Sequence, residues 1–172
     1  MIWKVKDLAV TDGNTEPVTL QQAKDWLRVD SEDDDALITD LITVARKRIE
    51  RFTGVSMVDK DIVCIVEISK EFPLPYPALD EITTVKRWVG TEWETLTTSD
   101  YVLLGTNTAT FRPNVAGLYE IAYSTTADTD SALKLDLKRV LLWLYENRGD
   151  DSDNMPVELM SNAKQKRVLS WV

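Results

Sequence analysis

Histidine is missing altogether from the 172 residues, and cysteine occurs once. The first absence removes Ser-His-Asp and Cys-His nucleophile pairs, His-ligated zinc and haem, and any histidine pH switch. The second removes internal disulfides. Cys64, set in Ile62-Val63-Cys64-Ile65-Val66, reads as a small buried hydrophobe of a reducing compartment rather than a reactive thiol. Long apolar runs are also missing: in helical sequence the longest, Val140 to Leu144, falls far short of the roughly 20 residues that span a bilayer. Met1-Ile2-Trp3-Lys4-Val5-Lys6-Asp7 lacks the basic and then apolar pattern of a secretion signal, so a cytoplasmic site of synthesis is expected. Glycine-rich phosphate loops and nucleophile elbows are lacking as well, and no pair of carboxylates stands out as an acid and a base. The expectation is a protein with no enzymatic activity, no cofactor and no metal.

Positive charge is in deficit, with 20 Lys and Arg against 29 Asp and Glu for a net charge of −9. That balance argues against a nucleic-acid-binding module, which would carry a basic stripe. What remains is an ordinary globular composition, 44% hydrophobic and 28% charged. A chain of this length forms one domain that buries about 70% of its unfolded surface.

Helical signals open the pattern. Thr19 and Gln22 form a capping box ahead of a two-turn helix whose apolar face is Leu20, Ala23 and Leu27. A longer helix is predicted from Ser31, with Leu37, Ile38, Leu41, Ile42, Ala45, Ile49 and Phe52 as its stripe and Gly54 as its left-handed stop. From residue 57 on the pattern is β: a strand at Ile62 to Ile68, a hairpin of Val85–Val89 with Trp93–Leu96, and a second of Tyr101–Leu104 with Thr108–Phe111. A last alternating strand runs from Leu118 to Tyr123. Helix returns at Ser131 with Leu133, Leu137, Val140, Leu141 and Leu144, and stops at Gly149. After the polar loop from Asp150 to Asn154, Pro156 opens a final helix running towards Trp171. Neither helical segment can bury its own stripe. The fold expected is therefore α+β: a helical bundle core in which residues 19–54 and 131–170 pack together, with an antiparallel β-rich insert at 58–125, all in a single domain, 1–172.

Charge on the second helix follows the macrodipole, with Glu32, Asp33, Asp34 and Asp35 at its start and Arg46, Lys47, Arg48 and Arg51 near its end. A calcium loop is excluded there, because Ala36 stands where a turn glycine is needed and Leu41 where the last glutamate should fall. Six tryptophans are many for a chain with no chemistry to perform, and large amphipathic rings favour interfaces. Trp26 and Trp143, on predicted helices, read as core. Trp3, Trp88, Trp93 and Trp171, near a terminus or hairpin, read equally as core or interface.

Glu16-Pro17-Val18-Thr19-Leu20-Gln21-Gln22-Ala23-Lys24-Asp25-Trp26-Leu27-Arg28-Val29-Asp30, followed by acids, Ala36-Leu37-Ile38, Ala45-Arg46 and Ile49-Glu50-Arg51-Phe52-Thr53-Gly54, resembles the opening of the head-tail connector, or adaptor, proteins of long-tailed double-stranded DNA bacteriophages. Leu133-Lys134, then Leu141-Leu142-Trp143-Leu144-Tyr145-Glu146-Asn147-Arg148, an acidic loop and Pro156-Val157 resemble the same family's third helix and the proline that opens its last one. The last helix departs from it, with Ala163-Lys164-Gln165-Lys166-Arg167-Val168 where many relatives have an aromatic-arginine pair.

The resemblance implies a structural virion protein of the neck, assembled in the host cytoplasm. It would form a ring of twelve under the portal that extends the DNA channel and joins capsid to tail. Its partners would be copies of itself, the portal protein and a stopper or tail-completion protein, with no membrane. DNA would pass through the lumen without sequence-specific binding, and an acidic wall fits that by repelling phosphates. Portal-binding candidates are Leu159, Met160, Lys164, Lys166, Arg167, Leu169 and Trp171. Subunit-interface candidates are Arg46, Arg48 and Arg51 facing a neighbour's Asp33 and Asp34, together with Trp88 and Trp93. For the arginines, complementing the macrodipole alone is an equal reading. The alternatives are another neck ring, a stopper or tail terminator, or a monomeric cytoplasmic binding module.

Overall fold

A computed structural model of the chain describes residues 3–105, 108–148 and 156–167. The chain is α+β and divides into two compact units. Among the described residues, one combines 3–14 with Val58–Ala127, and the other combines Thr15–Met57 with 128–148 and 156–167.

The first unit is all β. Strands β1 (Trp3–Asp12), β2 (Lys60–Ile68), β4 (Leu79–Val89), β5 (Glu92–Thr95) and β8 (Gly117–Thr125) form an antiparallel sheet in the order β1-β2-β8-β4-β5. A smaller sheet joins β3 (Phe72–Pro73), β7 (Thr110–Pro113) and β6 (Tyr101–Leu104), also antiparallel. Their core gathers Ile62, Cys64, Val66 and Ile68 of β2 with Phe72, Phe111, Tyr119, Ile121 and Tyr123. β2 therefore buries alternate residues instead of both faces. Burial raises the Cys64 thiol to about 12, as expected of an unreactive packing residue.

β1 has no counterpart in the sequence reading, and its register shows why. Trp3 and Val5 lie opposite Ile68 and Val66, but a shift between Val5 and Asp7 puts Leu8 and Val10, not Asp7 and Ala9, opposite Cys64 and Ile62. One irregularity moves the alternation by a residue and hides the period of two. The second hairpin forms, with its return strand at Thr110–Pro113 rather than Thr108–Phe111.

The second unit is helical. In α1 (Leu20–Leu27) the capping box is formed: Thr19 Oγ1 accepts from the Gln22 amide and Gln22 Oε1 from the Thr19 amide, both at 3.2 Å. α2 (Asp35–Thr53) ends as expected at Gly54, whose φ of 75° is left-handed and whose amide bonds to the Glu50 carbonyl. Its start is four residues later than Ser31. α3 (Ser131–Glu146) is capped by Asp130, whose carboxylate accepts from the Ala132 amide. A 3₁₀ turn (Val157–Met160) and α4 (Ser161–Gln165) follow, in place of one continuous helix from Pro156. Gly149, the loop from Asp150 to Asn154, Leu169 and Trp171 lie outside the described residues. Val18, Ala23, Ile38, Ile42, Ala45, Ile49, Met57, Leu133, Leu137, Val140, Leu141, Met160 and Ala163 share one apolar cluster. Among the described residues no helix is long and apolar enough to cross a membrane.

Candidate interface surfaces

Arg46 lies one turn past Ile42 on the stripe that α2 turns to the core, so its guanidinium is carried inward. It is 2% exposed. Its Nε donates to Glu16 Oε2 at 2.8 Å and its Nη1 to Glu50 Oε2 at 2.9 Å, while Glu50 Oε1 accepts from the Met57 amide at 2.7 Å. This corrects the expectation that Arg46 reaches a neighbouring subunit: its partners are internal, and they tie the segment before α1 and the turn after α2 to the middle of that helix. Arg48 is partly buried, and Arg51 is exposed on the last turn, where it also complements the macrodipole.

Asp34 and Asp33 have separate surroundings. Asp34 does not cap α2; its carboxylate accepts from Tyr145 Oη at 2.5 Å and from Arg148 at 3.1 Å, joining the start of α2 to the end of α3. The Tyr145 hydroxyl, then Arg148, hold that carboxyl below its usual range, and the tyrosine is pushed up in return. Asp34 is thus engaged within the chain, with 31% of its side chain exposed. Asp33 stays exposed, with Ser31 donating to it.

The C-terminal candidates also separate. Met160 is buried in the helical cluster, which corrects the expectation that it covers a partner's surface, and the partly buried Leu159 packs against that cluster. Asp136, fully buried, explains the anchoring. It accepts from the amides of Asn162 and Ala163 and from Asn162 Nδ2, each at 2.8 Å, and so supplies the start of α4 with the acceptor that a short helix lacks. Lys166 is held by Asp128 and Asp130, each at 2.7 Å. These carboxylates raise the lysine, while Lys166 and the Ala132 amide lower Asp130. Lys164 and Arg167 are exposed, the latter 5.3 Å from the centre of the Phe52 ring.

Trp88 and Trp93 face each other across the β4–β5 hairpin in an edge contact of 5.3 Å, and Trp88 is 41% exposed. Trp3 instead packs edge-on against Phe72. Trp26 is a further correction: read as core, it is 39% exposed. It follows Asp25 by one residue and precedes Leu27, so it sits at the margin of the α1 stripe. There its ring forms part of a groove of about 550 Å³ with Gln22 of α1 and Lys134, Leu135 and Lys138 of α3. Lys138 Nζ lies 5.8 Å from the ring centre. The sequence carried a signal for this groove, the two lysines one turn apart on α3, which the apolar stripe of that helix overshadowed.

Among the described residues no group of three or more metal-ligating side chains comes together. A second concavity, of about 380 Å³ in the β unit, is lined by Asp12, Asp59, Asp61 and Asp80 around Lys60, which is itself ion-paired with Asp12.

Residues 17–84 match the phage gp6-like head-tail connector protein family. In fold, the chain is similar to a chain in the neck of an empty gene transfer agent particle computed with C6 symmetry, with a TM-score of 0.73 at 14% identity over 95% of this chain and 97% of that one. A chain of the virion of the native gene transfer agent particle gives 0.72 at 15% identity, again over 95% and 97%. One from the neck of the native particle computed with C12 symmetry gives 0.70 at 14% identity over the same shares. No curated protein matches the chain in sequence.

Proposed function

We propose that this protein is a structural head-tail connector of a phage-like virion neck, a reading supported by the match of residues 17–84 to the phage gp6-like head-tail connector protein family. It forms a ring under the portal, extends the DNA channel and joins the capsid to the tail. The observation that carries this reading is that a neck fold extends over 95% of the chain, well beyond the matched segment. The symmetry of those related necks supports a ring of twelve, or of a divisor of twelve, around the channel. A formal charge of −9 on every subunit suits a wall that DNA slides past.

The helical unit serves as the bundle core of a single domain, with the β-rich stretch 58–125 as an insert that presents Trp88 and Trp93. Portal contact falls to the exposed cations Lys164 and Arg167, and subunit contact draws on Asp33 and Arg51. The role is mechanical, not catalytic. Particles assembled without this chain should accumulate as DNA-filled heads and separate tails, and supplying the chain in trans should join them. Joined, infectious particles formed in its complete absence would overturn the reading.

A further inference from the structure

The helical unit has two exposed surfaces that complement each other. The first is the groove between α1 and α3, where Trp26 lies open beside Lys134 and Lys138. These lysines are four residues apart and so share one face of α3. Among the described residues neither is ion-paired, in a chain where carboxylates outnumber cations.

The second surface is the outer stripe of α2. Ile38, Ile42, Ala45 and Ile49 face the apolar cluster shared with Ala23 of α1 and with Leu133, Leu137 and Leu141 of α3. A step of two residues turns a helix by about 200°, so Ala36, Asp40 and Val44 point away from that cluster. All three are exposed, Val44 at 43%. Exposed Glu32 and Asp33 precede the stripe and extend its negative charge. Residues of α1 and α3 and the segment just before α1 line the groove and none of α2 does, so the two surfaces are separate parts of one unit. A surface that fits another surface elsewhere on the same chain makes a head-to-tail contact, which repeats until it closes.

We infer that the outer stripe of α2 on one copy seats in the α1/α3 groove of the next copy, with Val44 against Trp26 and Asp40 between Lys134 and Lys138. The occupant is a second copy of this chain because the charges of the two surfaces are opposite in sign and the largest exposed apolar side chain on α2 meets the exposed indole. The inference rests on the ring reading above and deepens it by naming the contact that builds the ring. It also moves that contact from the buried Arg46 to the opposite face of the same helix.

The test uses the full chain in assembled particles, in a Cys64→Ser background. Val44→Cys and Lys134→Cys together should give, on oxidation, a ladder of covalent oligomers on a non-reducing gel, while either alone stays monomeric. Asp40→Lys and Lys138→Asp should each abolish incorporation into necks with the circular-dichroism melt unchanged, and the double reversal should restore it. A covalent dimer from Val44→Cys alone would show a two-fold α2–α2 contact and overturn the inference. So would normal incorporation of both single reversals. Many copies per neck with no ladder would sink this contact but leave the ring standing, whereas a single copy per neck would sink both.

Discussion

Replacing Asp136 by alanine removes the acceptor that holds α4 on α3. The carboxylate is fully buried and accepts from the amides of Asn162 and Ala163 and from Asn162 Nδ2, with Arg139 at 3.2 Å on its outer side. Hydrogen bonds to a charged group contribute about 1.5–3 kcal/mol each, and they are not additive when they share one acceptor. The loss should be about 4 kcal/mol, less than the sum of three, because the partly exposed Asn162 regains water while the amide of the buried Ala163 does not. For a chain of this length about 1 kcal/mol moves the melting temperature by roughly 2–4 °C, so calorimetry should show a fall on the order of 10 °C. Asp136→Asn keeps one carbonyl acceptor and should lose about half as much. Limited proteolysis of Asp136→Ala should release the segment after Pro156 first. A loss below about 1 kcal/mol would refute the reasoning and return the C-terminal segment to the role of a loosely held arm.

Arg46→Ala should cost about 3–5 kcal/mol by urea unfolding, since it takes the guanidinium away from the buried Glu50 carboxylate, whereas Arg51→Ala on the exposed last turn should stay within about 0.5 kcal/mol of the parent. The Lys166 cluster sets a pH window. Asp130 and Asp34 are depressed below their ordinary 3.8, so their contribution is present above that pH and is lost as pH falls through the lower folded values. Lys166 is raised above 10.5, so its contribution is present below that pH and is lost as pH rises through its folded value. The urea midpoint should therefore hold from about pH 5 to about pH 9 and fall on both sides, less steeply on the acid side in Asp130→Asn. Cys64 should resist thiol reagents until the β unit unfolds, and rapid labelling of the native protein would contradict its burial.

What could be read from the sequence was local. The Thr19–Gln22 capping box and the Gly54 stop depend on residues three to four apart, and both are formed as expected. The start of α2 lies at Asp35, not at Ser31 as the acidic run suggests, and the Asp34 carboxylate just before it goes to the distant Tyr145 instead of capping the helix. Arg46 was assigned outward from its place in a basic run, although position 46 also follows Ile42 by one turn and precedes Glu50 by another. Those spacings carried the buried pair, and the macrodipole argument drew attention away from it. Trp26 could not be placed from its helix alone, because a residue at the margin of a stripe is covered or open according to the neighbouring helix. β1 was hidden by a single register shift. The bacteriophage resemblance rests on 16–54 and 133–157, and the family match over 17–84 covers nearly all of the first stretch and none of the second.

Cryo-electron microscopy of the intact particle neck, with this chain tagged at an exposed loop of the β unit, tests the central claim most directly. The account requires a closed ring of this fold directly beneath the portal, with the tag repeated around the DNA channel at the ring's symmetry. A neck whose rings contain no copy of the fold, or a tag seen at one position only, would contradict it.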